Sequence, residues 1–112
     1  MLEMTSEIRD GVIIVRPVGR IDSVSSKDFE EKAVAHIETT SPRIVLDLAK
    51  LDYISSAGLR VILTAAKKAK ALGGALTLCS VQPGVHEVLV ISGFVSLLGI
   101  HTGLEEAFSA LK

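Results

Sequence analysis

Residues 44–60 read Ile44-Val45-Leu46-Asp47-Leu48-Ala49-Lys50-Leu51-Asp52-Tyr53-Ile54-Ser55-Ser56-Ala57-Gly58-Leu59-Arg60. The run 44–48 is short and apolar, the mark of a strand covered on both faces. Ser55 or Ser56 can cap a following helix, because a serine oxygen accepts an amide of the first turn. That helix extends to about Leu72 and stops at Gly73-Gly74, glycine being favoured just past a helix end. Leu59, Ile62, Leu63, Ala66 and Ala69 share one face, while Arg60, Lys67, Lys68 and Lys70 occupy most of the rest. A buried strand that feeds an amphipathic helix is half of a crossover unit and predicts a parallel sheet.

The same reading extends in both directions. Upstream, Leu2, Met4 and Ile8 alternate onto one side of a first strand over 2–8. Asp10-Gly11 is a favoured tight-turn dipeptide, so 12–18 pairs back antiparallel as a hairpin. Pro17 has no amide to donate, so its backbone belongs at an edge or a bulge. A helix over 23–38 follows, with Phe29, Ala33 and Ile37 as its core stripe and Ser25 and Asp28 at capping-box spacing. Thr39-Thr40-Ser41-Pro42 ends it, since the residue before proline disfavours helical geometry. Downstream, 75–79 reads as a buried strand, 81–84 as a turn, 85–91 as a short helix and 94–100 as a last strand. A final helix, with a capping box of Thr102 and Glu105, ends near Lys112. The expected order is β-β-α-β-α-β-α-β-α. This is an α/β domain over 1–112 with a mixed, mostly parallel sheet, an N-terminal antiparallel hairpin and about four helices covering it unevenly.

Composition narrows the function classes. A chain of 112 residues forms one globule, with an expected radius of gyration of about 13 Å, and needs no disulfide or metal to stay folded. Its single cysteine, Cys79, excludes an internal disulfide. The net charge of -1 argues against nucleic-acid or membrane-surface binding, which draws on a basic excess. With no tryptophan and few aromatics, the chain lacks a base-stacking platform. No apolar run approaches the roughly 20 residues that span a bilayer, so no membrane insertion is expected. The start, Met1-Leu2-Glu3-Met4, does not read as a signal peptide, and a cytoplasmic location is the simplest expectation.

The chemistry concentrates at 52–60. A helix start exposes unpaired amides and a partial positive charge, and two hydroxyls stand there. Such a place can accept an anion, or become one by phosphorylation of a serine. Gly58 keeps the backbone open to close approach. Asp22 ends a strand and is either the N-cap of the next helix or a group that orients the serine hydroxyl or meets a partner. His36, His86 and His101 have no metal-like spacing. Position 54 is Ile rather than Gly, so the Gly-x-Ser-x-Gly nucleophile elbow is missing, and there is no phosphate-binding loop motif.

The string Asp52-Tyr53-Ile54-Ser55-Ser56-Ala57-Gly58-Leu59-Arg60-Val61-Ile62-Leu63 resembles the signature of the STAS domain, and more narrowly that of bacterial anti-sigma factor antagonists. Four further landmarks resemble the family in order: Val18-Gly19-Arg20-Ile21-Asp22, the strand Arg43-Ile44-Val45-Leu46-Asp47-Leu48 before the signature, Gly73-Gly74 with 75–79, and Val88 to Phe94, ending in Ser92-Gly93-Phe94. The resemblance implies a non-enzymatic partner switch without a cofactor. An anti-sigma factor that is also a serine kinase binds the unmodified protein and frees its sigma factor. Phosphorylation of one serine breaks that complex, and a PP2C-type phosphatase restores it. The family's acceptor lies two residues before the signature glycine, which is Ser56 here, with Ser55 as the alternative where the family often has Asp. The docking surface implied is Gly19, Ile21, Asp22, Ser23, Ser55, Ser56, Ala57, Gly58, Leu59 and Arg60. Two other readings stand beside it: a STAS regulatory subunit of a membrane transporter complex, and a small hydrolase using Ser56, for which no base or orienting acid is placed by the motif.

Overall fold

The hairpin forms where Asp10-Gly11 places it. In the computed structural model, which describes residues 2–34, 42–93 and 98–111, β1 (Glu3–Arg9) pairs antiparallel with β2 (Val12–Ile21). Asp10 and Gly11 both take positive φ, as the tight turn requires. Leu2 is buried and Met4 half-buried as the alternation predicts, but Ile8 on the same side is 76% exposed at the hairpin end of this edge strand.

The order continues α1 (Ser26–Val34), β3 (Arg43–Asp47), β4 (Leu51–Ile54), α2 (Ser56–Ala71), β5 (Ala75–Cys79), α3 (Pro83–Ile91), β6 (Gly99–His101) and α4 (Leu104–Leu111). The sheet runs β1-β2-β3-β5-β6, parallel except for the opening hairpin. β4 is an addition to the expected order. It lies parallel to the end of β2, with Arg20 opposite Tyr53 and Ile21 opposite Ile54. β2 is thus handed from β3, which pairs with Val12 to Val15, to β4, which pairs from Gly19 onward. Pro17 falls between these two ladders, where neither needs its missing amide. A register shift marks the hand-over, and Gly19 there has φ +106, a conformation that favours glycine.

Two cores lie on opposite faces of the sheet. The larger joins α1, α2 and α3 to the strands through Phe29, Ile21, Leu46, Leu59, Ile62, Val85 and Leu89. The smaller places Ala107 and Phe108 of α4 over Val12, Ile14, Val45 and Cys79. Fully burying one such aliphatic or aromatic side chain stabilises the fold by about 1.5–3 kcal/mol. The radius of gyration, 12.5 Å, agrees with the expectation from length.

Three helix-start assignments change. α1 starts at Ser26 rather than at residue 23, and the side chain of Ser25, directly before it, bonds Asp22 in the preceding turn rather than forming a box with Asp28. Asp28 instead pairs with Lys32 at 3.2 Å. Thr102 donates to Glu106 at 3.1 Å rather than pairing with Glu105, whose carboxylate meets Arg9 at 3.5 Å. α3 begins at Pro83, whose missing amide suits a first-turn position, rather than at Val85. The expected ends of the first helix at 35–38, including Ile37, and of the last strand at 94–97 lie outside the described residues.

Candidate functional site

Two chain segments leave the sheet side by side. The Ser55 amide donates to the Ile21 carbonyl at 2.7 Å, tying the exit of β4 to the exit of β2. The segment 22–25 and the first turn of α2 therefore share one end of the sheet, the usual place for function in open α/β folds.

Ser55 is the N-cap of α2. Its backbone is extended (φ -84, ψ 169), and its Oγ accepts the Gly58 amide at 3.2 Å. Ser56 is the first helical residue and is exposed, and its hydroxyl has no hydrogen bond recorded among the described residues. The two serines are thus chemically distinct: one closes the helix end and the other faces solvent. No acidic residue stands in the first turn, so the helix's partial positive charge there is uncompensated.

Gly58 is buried beneath the turn. A Cβ there would lie 2.6 Å from Ile21 Cγ2 and 2.8 Å from Ile54 Cγ1, so only glycine lets α2 start this close to β2 and β4. Leu59 and Ile21 are buried with it. Ile21, Gly58 and Leu59 therefore support the surface from below. Asp22 and Ala57 are half-buried, and Ser23, Ser56 and Arg60 are exposed. Half-buried Gly19 lies at the rim, its amide donating to the Lys50 carbonyl at 2.9 Å.

Asp22 binds within its own turn. Its Oδ1 accepts the amides of Val24 at 3.0 Å and Ser25 at 2.9 Å, together with the Ser25 hydroxyl at 3.1 Å. The Ser25 Oγ accepts the Asp22 amide in return. These hydrogen bonds close the turn that leads into α1, and none of them reaches Ser55 or Ser56. The Ser25 amide and hydroxyl hold the Asp22 carboxyl below the ordinary range. This clamp fixes Val24, which is 86% exposed, beside the site. Val24 was not among the sequence candidates; the Asp-x-x-Ser spacing was the signal that could have found it. A second unexpected feature is Arg20, whose guanidinium stacks 4.3 Å from the centroid of the Tyr53 ring.

The remaining reactive side chains lie elsewhere. Cys79 is fully buried under α4, and burial is the main cause pushing its thiol up to about 11. His86 and His101 line a cleft of about 320 Å³ with Val81, Ile100 and Thr102. His101 Nδ1 lies 3.1 Å from Glu106 Oε1. No cluster of three metal-ligating side chains occurs among the described residues, and no helix among them is long and apolar enough to cross a membrane.

Comparison with known proteins agrees with this architecture. The sequence pattern of the STAS domain matches residues 3–107. A Bordetella bronchiseptica protein bearing the name anti-sigma factor antagonist BtrV is 40% identical over 111 residues, spanning 99% of this chain and 96% of its own. The anti-sigma F factor antagonist of Paenibacillus polymyxa is 32% identical over 112 residues, with the same shares. The fold is that of a Thermotoga maritima anti-sigma factor antagonist (TM-score 0.90, 23% identity, 96% of this chain and 93% of that one). It is also that of the Bacillus cell fate determinant SpoIIAA solved in its phosphorylated form (TM-score 0.73, 19% identity, 98% of this chain and all of that one). The chain belongs to the STAS domain family, within the group named anti-sigma factor antagonists.

Proposed function

We propose that this protein is a cytoplasmic, non-enzymatic anti-sigma factor antagonist that works as a partner switch through Ser56. The unmodified form binds an anti-sigma factor that is also a serine kinase, and the sigma factor held by that partner is released. The kinase moves the γ-phosphoryl of ATP to Ser56 Oγ: the bond to ADP breaks, the Oγ–P bond forms, and the hydroxyl proton is lost. A PP2C-type phosphatase hydrolyses the ester and returns the hydroxyl.

One observation carries the choice of residue. Ser55 already accepts the Gly58 amide as the helix cap, whereas Ser56 is exposed at the first helical position with its hydroxyl uncommitted. A kinase reaches Ser56 without opening the helix. Phosphate adds about -1.5 to -2 charges at neutral pH. At the head of its own helix that charge is favoured by about 0.3–1 kcal/mol, so the fold survives. At an interface, burying it without a counter-charge costs several kcal/mol, and each 1.4 kcal/mol is tenfold in affinity. The relatives' names supply the partner class, and the phosphorylated form of SpoIIAA shows that a protein of this fold carries the modification.

The test incubates the protein with kinase-like anti-sigma factors and ATP and then maps the phosphate by peptide mass analysis. Phosphate on Ser56, with loss of calorimetric binding to the same partner, is expected. Phosphate on Ser55, or on neither serine, overturns the assignment.

A further inference from the structure

We propose that Arg60 receives the phosphate of Ser56 within the same helix, acting as its built-in counter-ion; this rests on the reading of Ser56 as the modified residue. Residues four apart on an α-helix are offset by only about 40° around the axis. Ser56 and Arg60 therefore share one face of α2, and both are exposed. Helical side chains tilt toward the N-terminus and lie over the preceding turn, so the long Arg60 side chain reaches back toward Ser56. An anion four residues N-terminal to a cation is the favourable orientation for a helical pair. The guanidinium fork also matches two phosphate oxygens at once.

Charge on neighbouring elements leaves this role open. α2 contains no Asp or Glu at all, and no ion pair of Arg60 is recorded among the described residues. On the packed α1, Asp28 is paired with Lys32 at 3.2 Å, and the exposed Glu30 and Glu31 of α1 and Asp52 of β4 make no recorded ion pair with Arg60 among the described residues. Asp22 holds its own turn through Val24 and Ser25. The exposed stripe of Ser56, Arg60, Thr64, Lys67 and Lys68 carries only hydroxyls and cations. A phosphate on Ser56 becomes its one anion, held flat along the helix at the rim of the docking surface. Arg60 thereby fixes where the repelling charge stands and adds to the stability of the modified domain.

The test uses the full chain with phosphoserine installed at position 56 during translation, so no kinase is involved. Thermal midpoints are measured for the modified and unmodified chains, each with Arg60 and with Arg60→Gln. Arg60→Gln is expected to lower the midpoint of the modified chain by roughly 2–4 °C more than that of the unmodified one. Arg60→Lys should retain part of this difference, because charge remains without the fork. The Arg60 Nε–H resonance should shift on modification and exchange more slowly with solvent. Equal midpoint changes in the two backgrounds overturn the proposal. Failure of the underlying reading is seen separately, as phosphate mapped away from Ser56 in the kinase experiment.

Discussion

Ser55 Oγ accepts the Gly58 amide at 3.2 Å, and this bond separates the roles of two adjacent serines. Ser55→Ala removes a helix cap and is expected to cost about 1 kcal/mol. For a domain of this size that lowers the thermal midpoint by about 4–8 °C. Ser56→Ala removes an exposed hydroxyl with no recorded partner and should stay within about 0.5 kcal/mol of the parent. Calorimetric melting of the two variants checks both. The kinase should still modify Ser55→Ala and should fail on Ser56→Ala.

Gly58→Ala places a methyl group 2.6 Å from Ile21 Cγ2 and 2.8 Å from Ile54 Cγ1. Both isoleucines are buried, so neither can swing into solvent. Overpacking of this kind costs about 1–3 kcal/mol. The urea midpoint should fall with an unchanged slope. Because α2 must lift from the sheet, partner binding should weaken even where the variant remains folded.

How far these features were legible in the sequence follows from the range of the interactions involved. The hairpin turn at Asp10-Gly11, the 43–47 strand and the limits of α2 depend on neighbouring residues, and each appears where local chemistry puts it. β4 does not. Its burial pattern, buried at Leu51 and Ile54 and exposed between, has no period of two. Its ladder is supplied by Gly19 to Ile21, some thirty residues earlier. The helix caps show a different ambiguity. Asp22, Ser25 and Asp28 form two overlapping three-residue spacings, and the side-chain hydrogen bonds fall between Asp22 and Ser25. Within the candidate site, the residue types were readable. Which of them face solvent, and that Val24 stands among them, depends on how β2 and β4 end together.

The Asp22 clamp gives a pH dependence with a definite sign. Its carboxyl is held below its ordinary value of 3.8, first by the Ser25 amide and then by the Ser25 hydroxyl. The native state therefore binds fewer protons than the unfolded state around pH 3 to 4, and stability rises with pH there. The contribution is fully present above 3.8 and is lost as pH falls through the lower native value. Asp22→Asn keeps a good capping side chain but removes the titration. Its stability should fall less steeply on acidification than the parent's, measured by urea midpoints from pH 6 down to pH 3. Glu7 and Glu106 are also held low, by Arg16 and by His101 respectively, so part of the acid slope should survive in Asp22→Asn.

Cys79 reports on the opposite face of the sheet. Its thiol is fully buried with Val12, Ile14 and Val45 beneath Ala107 and Phe108, and it is pushed up to about 11. Alkylation needs an accessible thiolate, so in the native protein it should proceed only through opening of α4 or of the whole domain. Phe108→Ala removes the largest side chain covering this small core and is expected to cost about 3–5 kcal/mol. The labelling rate of Cys79 at neutral pH should rise steeply. Partner binding at the Ser56 end should persist under conditions where the variant is folded, because Phe108 belongs to the core on the other face. Equal labelling rates in parent and variant would mean that α4 does not control access to this core.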